Sequence, residues 1–264
     1  GEQAVVACAA TFFGNVMVEV VAAGGPRVQW LRENVLTLFA EKVLRVSANI
    51  ESWRTGRKAF AESAVFFFIQ ICHRLGVKPH GEPYAPLLEL VWVALREDSP
   101  DLRRDCLVLL KCLCDHSDVF HGLFFECGGA QATLLALDDE LEITRLAASE
   151  LAVEVIEHDP PQLSPRLFAP LTIDTDLFDV LARNISAATA RLTYYSLILA
   201  EYVFVREEGY ASPRAGAFLA KINFERLARH HVVDVSARAL DLLDTLLQNL
   251  PLSVAVAWLR DFSE

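Results

Sequence analysis

The sequence contains little glycine, proline and cysteine for a chain of 264 residues, with 12, 11 and 6 of them respectively. An all-β sandwich needs a turn about every ten residues, and such turns depend on glycine and proline, so this composition favours helices. Six cysteines embedded in apolar segments do not resemble the framework of a secreted disulfide-rich protein. We therefore expect a helical protein from a reducing intracellular compartment, most simply the cytoplasm.

The chain also lacks a long uninterrupted apolar run. Its first 23 residues are largely apolar, but they include Glu2, Asn15 and Glu19, and no basic segment precedes them. They predict neither a signal peptide nor a membrane-spanning helix. Because the sequence starts at Gly1 instead of methionine, we expect it to be a fragment of a longer protein.

There is no overall excess of positive charge, since the formal net charge is −11. A generic nucleic-acid binder needs lysine and arginine to displace phosphate counterions, so the charge argues against that function. The segment Arg27–Lys58 is an exception, with seven basic residues against three glutamates. A mixed solvated surface explains this segment most simply; contact with nucleic acid or a membrane is the alternative, and we expect neither as a partner.

Apolar residues are abundant, at 53% of the chain against roughly 45–50% in an average globular protein. Five segments place a large or branched residue, a small residue and another large one at positions i, i+4 and i+8, on one face of a helix. The triplets are Phe60/Ala64/Phe68, Leu102/Cys106/Leu110, Ile143/Ala147/Leu151, Thr189/Thr193/Leu197 and Val235/Ala239/Leu243.

The small central residues recur after 42, 41, 46 and 46 residues. A small side chain is what two closely crossing helices need at their contact. Periods of about 40–47 residues with two or three helices per unit are typical of armadillo and HEAT repeats. The pattern therefore predicts stacked layers of helices.

Turn-forming residues stand between the predicted layers. Ser99 is placed to cap a helix with Pro100 in its first turn, while Asp138 or Asp139, and later Asp234, occupy the corresponding positions of other layers. Longer breaker segments separate helices, not domains. They are GVKPHGEPYAP (76–86), EHDPPQLSPRLFAP (157–170) and REEGYASPRAG (206–216).

The segment CGGAQATLLALDDELEITRLAASELAVEVI (127–156) resembles an armadillo unit, with a small first helix, a leucine-rich second helix, an acidic turn and a long third helix. The segment YAPLLELVWVALREDSPDLRRDCLVLLKCL (84–113) is similar but lacks the Gly-Gly pair. The resemblance extends over 59–249 and identifies a superfamily of armadillo/HEAT-type proteins, not a particular protein.

The resemblance implies an all-α, right-handed superhelical solenoid of about five to six units. We expect a single domain over 1–264, with 1–50 as an N-terminal cap or partial unit and 51–264 as repeats. The segments Ala4–Ala23 and Arg27–Val46 are expected to form this cap or partial unit. The last segment, PLSVAVAWLRDFSE (251–264), resembles the first helix of a further unit, so this end of the chain is expected to dock further repeats or another subunit.

Armadillo nuclear-import receptors carry, on their third helices, an asparagine two residues after the conserved leucine and a tryptophan four residues before it. Both series of residues are missing from this sequence. The asparagine positions hold Gln70, Cys112, Val153, Leu199 and Thr245, and the tryptophan positions hold Phe66, Val108, Ser149, Tyr195 and Asp241. A receptor of the importin-α type is therefore not expected.

Clusters with possible chemistry are few. Cys112, Cys114 and His116 are zinc-ligand types, but residues two apart on a helix diverge by about 200°, so ordinary helix packing explains the cysteines better. His230–His231 precedes Asp234 with no nucleophile beside it, and Gly128–Gly129 does not belong to a phosphate-binding motif. We predict no metal, no cofactor and no enzymatic activity.

The expected function is that of a non-enzymatic scaffold binding a peptide, helix or subunit along its groove. The alternative is a regulatory subunit or co-chaperone that clamps a kinase, phosphatase, GTPase or Hsp70-type ATPase. The acidic positions favour a basic partner segment. Candidate partner-binding residues are Glu150, Glu154, Tyr194, Tyr195, Asp241 and Asp244, with Arg54, Arg57 and Lys58 as a separate basic group.

Each of these groups also has a simpler explanation. The glutamates, with Glu157, form an i, i+4, i+7 stripe that a solvated helix face would also show. The tyrosines could belong to the core, and the basic group beside Trp53 could be an ordinary loop between helices.

Overall fold

The structure is a computed structural model, and it describes residues 2–23, 29–30, 37–53, 55–75, 85–115, 118–158, 160–168, 177–206, 213–253 and 255–256. Within these residues it contains fourteen α-helices, one short 3₁₀ helix at Ile50–Ser52 and no β-strand. The predicted all-α class is confirmed.

The helices are numbered in chain order. Their bounds are α1 Glu2–Ala23, α2 Thr37–Ser47, α3 Arg57–Leu75, α4 Ala85–Leu95, α5 Pro100–Cys114, α6 Asp118–Glu126, α7 Gly129–Leu137, α8 Glu142–His158, α9 Pro160–Phe168, α10 Leu177–Ile185, α11 Ala190–Arg206, α12 Pro213–Lys221, α13 Phe224–Ala228 and α14 Val233–Asn249.

The chain divides into two compact units, Gly1–Gly129 and Ala130–Glu264. In the first unit α1 packs against α3, and α3 packs against α5. Helix α4 packs on α2, α3 and α5, and the 3₁₀ helix lies against α4. The long helices of this unit are therefore neighbours in chain order.

The second unit repeats this arrangement with the long helices α8, α11 and α14. Helix α11 packs between α8 and α14, while α9 and α10 also contact α11. The short helix α13 packs on α14, and α10 packs on α12. In both units each long helix thus packs against the next long helix along the chain.

All five small residues of the predicted repeat are buried. Ala64, Cys106, Ala147, Thr193 and Ala239 are at most 7% exposed. Each lies on one of the long helices that make these packings, α3, α5, α8, α11 and α14. Their burial agrees with the sequence pattern, which predicts small side chains where helices contact one another.

The large residues of the triplets follow the prediction less closely. The predicted core position of Ile143 is wrong, because its side chain is 48% exposed and Thr144 is buried in its place. Thr189 and Leu243 are only half-buried. Four residues turn a helix by about 400°, so an i, i+4, i+8 stripe drifts by about 40° at each step and leaves the buried face at its ends.

Polar contacts also connect residues about one repeat apart. In the second unit Asn184 donates from Nδ2 to the Leu137 carbonyl at 3.0 Å, and the amide of Thr189 donates to Glu142 at 2.9 Å; each pair is 47 residues apart. Lys221 pairs with Asp179, 42 residues away. These contacts join parts of the second unit that lie 42 to 47 residues apart in the chain.

The predicted helix boundaries agree in part. Ser99 is extended at the N-cap of α5, with Pro100 as the first helical residue, as predicted. Asp139 accepts from the Leu141 amide at 2.9 Å, immediately before α8. The predicted N-cap at Asp234 is wrong, because Val232 is the N-cap and Asp234 lies in the first turn of α14. A negative charge in the first turn interacts favourably with the helix dipole.

The Gly128–Gly129 pair ends one helix and starts another, as predicted. Gly128 has φ of +83°, a conformation that glycine adopts readily at a helix end. Gly129 begins α7, and a Cβ atom there would lie 2.4 Å from the ring of Phe124. Both glycines are therefore required by backbone conformation or space.

Among the described residues, no helix is both long and apolar enough to cross a membrane.

The buried thiols are shielded from reaction. Cys72 on α3 and Cys106 on α5 are buried, while Cys8 and Cys127 are exposed. Burial raises the pKa of Cys72 to about 12, with a smaller contribution from the neighbouring Cys112, and burial likewise raises the pKa of Cys106. The thiolate, which is the reactive form, is thereby disfavoured at both positions.

Replacing Ala239 with leucine should destabilise the protein by about 1–3 kcal/mol, because the larger side chain must fit into a closely packed helix contact. Urea unfolding would measure the change. The matched control is Ala237→Leu, at an exposed position of the same helix, which should change the free energy of unfolding by less than about 0.5 kcal/mol. Equal effects at the two positions would contradict the packing role of Ala239.

A thiol reagent should modify Cys8 and Cys127 rapidly in the native protein. The buried cysteines should react only as the protein unfolds, because they are inaccessible and their thiolates are disfavoured. Mass spectrometry of the labelled peptides would identify the modified positions. Fast modification of Cys106 in the folded protein would show that its burial is wrong.

Candidate functional site

Charged and aromatic side chains meet where α8, α11 and α14 lie side by side in the second unit. We define the acid–tyrosine face as Glu150, Glu154, Glu157, Arg191, Glu201, Tyr202 and Arg238. The three helices pack in series, so their outward side chains form neighbouring rows.

Helix α8 supplies the first row on the one side that its many buried residues leave uncovered. Ala147, Ala148, Leu151 and Val155 are buried. Glu150, Glu154 and Glu157 follow one another at i, i+4 and i+7, which places them on one face of the helix. Glu150 and Glu154 are half-buried, and Glu157 is exposed.

An ion pair connects α8 to α11. Arg191 Nη2 lies 2.6 Å from Glu150 Oε1, and the side chains are 67% and 14% exposed respectively. The carboxylate is therefore mostly covered and is already neutralised by an arginine. The structure thus places Glu150, predicted as a partner-binding residue, in a contact between two helices.

A second ion pair connects α11 to α14. Arg238 Nη2 lies 2.6 Å from Glu201 Oε2, and both side chains are about two-thirds covered. Pairs in such partly covered positions are screened less by solvent than fully exposed ones. The two ion pairs together run across all three helices.

Tyr202 lies within electrostatic reach of all three helices. Burial is the largest cause that raises the pKa of Tyr202. Negative charge on Glu157 and, to a lesser extent, on Glu201 raises this pKa further, whereas the positive charge of Arg238 lowers it. Because Glu157 is on α8 and Arg238 on α14, these effects show that the tyrosine is near both neighbours. Its phenol stays neutral and can donate a hydrogen bond at physiological pH.

The other predicted partner-binding residues of this unit lie on the same helices. Tyr194 and Tyr195 are half-buried on α11, with ring centroids 5.4 Å apart in an edge-to-face arrangement. Asp241 and Asp244 are exposed on α14, and Asp244 accepts from Gln248 Nε2 at 2.6 Å. The structure therefore places the acidic and aromatic candidates on three long helices that pack in series, α8, α11 and α14.

The predicted basic group belongs to the first unit. Arg57 pairs with Glu97 at 3.3 Å, Lys58 is exposed, and Arg54 lies outside the described residues. Trp53 packs edge-to-face on the ring of Phe60 at a centroid distance of 5.0 Å, which accounts for an aromatic residue at this position.

A surface pocket that the sequence did not predict lies next to Arg57. Its volume is about 320 Å³, and its lining includes Glu51 and Arg96, which form an exposed ion pair at 3.3 Å. An adjoining pocket of about 340 Å³ shares these two residues and reaches Trp92. An exposed ion pair of this kind contributes only about 0–1 kcal/mol to stability, so it fixes the side chains between the two pockets only weakly.

The residues that the sequence analysis considered for chemistry are placed as follows. His230 Nδ1 accepts from the Val232 amide at 3.1 Å, and its ring stacks on His231 at 4.5 Å. Cys112 and Cys114 are buried on α5, and His116 lies outside the described residues. Within the described part of the chain, no group of three histidine, cysteine, aspartate or glutamate side chains is arranged to hold a metal ion.

Sequence reasoning did not single out Arg191, Glu201 and Arg238. A signal was present, since each ion pair joins opposite charges about one repeat apart, 41 residues for Glu150–Arg191 and 37 for Glu201–Arg238. Many other charged pairs have a similar separation, and only the packing of the helices selects these two.

Replacing Glu157 with glutamine should lower the pKa of Tyr202, because it removes a negative charge that disfavours the phenolate. Arg238→Gln should shift this pKa in the opposite direction. An alkaline titration followed by phenolate absorbance would measure both shifts, with Tyr202→Phe identifying the signal. Glu225→Gln, at an exposed position on α13, is the control and should have no effect.

Comparison with known proteins assigns no family. No protein-family model matches the chain, and none of the curated proteins is significantly similar to it in sequence.

Proposed function

We propose that this protein is a non-enzymatic helical-repeat scaffold, and that the acid–tyrosine face binds a basic segment of a partner protein. The proposal includes a right-handed armadillo/HEAT-type solenoid of about five to six units. It is supported by the long helices that pack in chain order within each unit and by the polar contacts that join residues about one repeat apart.

The observation that carries the binding proposal is the row of glutamates on α8, half-buried at Glu154 and exposed at Glu157, beside the ion pairs that join α8, α11 and α14. The phenol of Tyr202, whose pKa is raised by burial and by Glu157, is neutral and adds a hydrogen-bond donor and an aromatic surface to these carboxylate acceptors. Tyrosines in such settings contribute strongly to protein interfaces. A guanidinium or ammonium group is the ligand that this combination fits best.

The face is acidic even after its internal ion pairs are taken into account. Arg191 and Arg238 each engage a carboxylate, whereas Glu157 is exposed beside them. Exposed carboxylates attract a basic segment from a distance, and the half-covered tyrosine would then contribute to the close contact. Salt should weaken such binding, because it screens exposed charges.

The proposal also places the protein in a reducing intracellular compartment. The six cysteines form no disulfide in the described structure. Burial of Cys72 and Cys106 in helix contacts explains their presence without a disulfide or a metal.

A labelled peptide of alternating arginine and serine, which lacks apolar side chains, is a suitable probe. The double variant Glu154→Lys/Glu157→Lys should weaken its binding at least tenfold at low salt, because two attractive charges become repulsive. Fluorescence anisotropy would measure the affinity. Glu150 is left unchanged, since its loss would leave Arg191 without its carboxylate.

The control is Glu225→Lys, which reverses one charge at an exposed position on α13 and so makes half the change of net charge of the double variant. It should leave the affinity within about twofold of the unmodified protein, since each added charge acts only over about a Debye length of 8–10 Å. Equal weakening by the two variants would show a general effect of net charge and would exclude a specific acid–tyrosine face.

A further inference from the structure

Helix α14 carries a second apolar stripe in addition to its buried one. Val235, Ala239, Leu242 and Leu246 are buried against the rest of the unit. Leu240, Leu243 and Leu247 follow at i, i+3 and i+7, and they fall within an arc of about 60° on the helix. We call these three residues the leucine stripe.

The leucine stripe is incompletely covered. Leu240 is 49% exposed, and Leu243 and Leu247 are half-buried. On α8 and α11, by contrast, leucines in the middle of the helix such as Leu151, Leu197 and Leu199 are fully buried. Helix α14 therefore has apolar surface of the kind that its two predecessors bury.

The direction of the stripe explains its exposure. Arg238 reaches Glu201 on α11, which marks the side of α14 that borders α11. At about 100° per residue, the three leucines lie about 140–180° around the helix from Arg238. They are therefore on the side of α14 that is remote from this contact, where α11 cannot cover them.

The border of the leucine stripe is acidic. Asp244 is about 40° further round the helix than Leu240, Asp241 follows beyond it, and both are exposed. The one basic residue of α14, Arg238, is engaged with Glu201 on the opposite side. The accessible surface thus combines leucine side chains with carboxylates along one edge.

We propose that the leucine stripe of α14 binds an amphipathic helix of a partner protein, with apolar residues along one stripe and lysine or arginine beside it. Helix-in-groove recognition uses this spacing of apolar anchors. Charge complementarity selects the partner, because basic residues next to its apolar stripe would face Asp244 and Asp241.

A second copy of this chain fits the surface less well. Two α14 helices placed face to face would bring their aspartates together, and like charges across an interface oppose association. The overall charge of −11 adds to this repulsion.

The inference goes beyond the proposed function, since it concerns a different side of α14 from the one that joins the acid–tyrosine face. The probe is a designed helical peptide of about 18 residues, roughly five turns, with leucines along one stripe and lysines elsewhere. A peptide with the same leucines and with glutamates instead of lysines is the comparison for charge. A scrambled sequence of the same composition is the comparison for the stripe.

The lysine–leucine peptide should bind the full chain at physiological salt, and the glutamate–leucine and scrambled peptides should bind at least tenfold more weakly. Leu240→Glu should weaken the lysine–leucine peptide at least tenfold, and the conservative Leu240→Met should retain its binding. The matched control is Leu135→Glu, because Leu135 on α7 is also an exposed leucine, at 66%. This control should leave the affinity unchanged.

Three results would overturn the inference. They are equal binding of the lysine and glutamate peptides, equal effects of Leu240→Glu and Leu135→Glu, and a dimer in light scattering that Leu240→Glu dissociates. The last result would identify a second copy as the occupant. Thermal unfolding of each variant checks that the fold is retained.

Failure of this inference can be distinguished from failure of the proposed function. Leu240→Glu should leave binding of the arginine–serine peptide unchanged. The Glu154→Lys/Glu157→Lys variant should leave most of the lysine–leucine binding intact. If Leu240→Glu has no effect while the double glutamate variant abolishes binding of both peptides, the acid–tyrosine face is supported and the leucine stripe is excluded.

Discussion

The packing of long helices against one another in chain order, within each unit, is the constraint on which the rest of the described structure depends. Ala64, Ala147 and Ala239 are buried on helices that pack against their successors or predecessors in the chain. Only a small side chain lets two helix backbones approach to the short end of the usual 8–10 Å range. Where long helices pack side by side, side chains on neighbouring helices come within reach of one another.

The polar contacts of the second unit follow from this packing. Arg191 on α11 reaches Glu150 on α8 because the two helices pack against each other, and Asn184 on α10 reaches the Leu137 carbonyl at the end of α7. The same geometry brings charges from α8 and α14 to Tyr202 on α11.

The candidate site could be predicted from the sequence only in part. The acidic stripe of α8 was predicted from the spacing of Glu150, Glu154 and Glu157, and the structure places them on one helix face. The spacing gave no indication that Glu150 would be covered by an arginine 41 residues later. Periodicity determines which residues share a face, but the partner of that face depends on how the helices are arranged.

The sequence by itself determined the helical class, the positions of the long helices and the five small buried residues on them, because helical periodicity and turn residues act locally. Only the tertiary structure decided that Ile143 is exposed and that Tyr202 is surrounded by charges from three helices. It also decided that the side chain of Leu240 on α14 is exposed. The physical reason is that burial and electrostatic environment depend on neighbours that are distant in the chain, and a helix of given sequence can present the same residues either to a neighbour or to solvent.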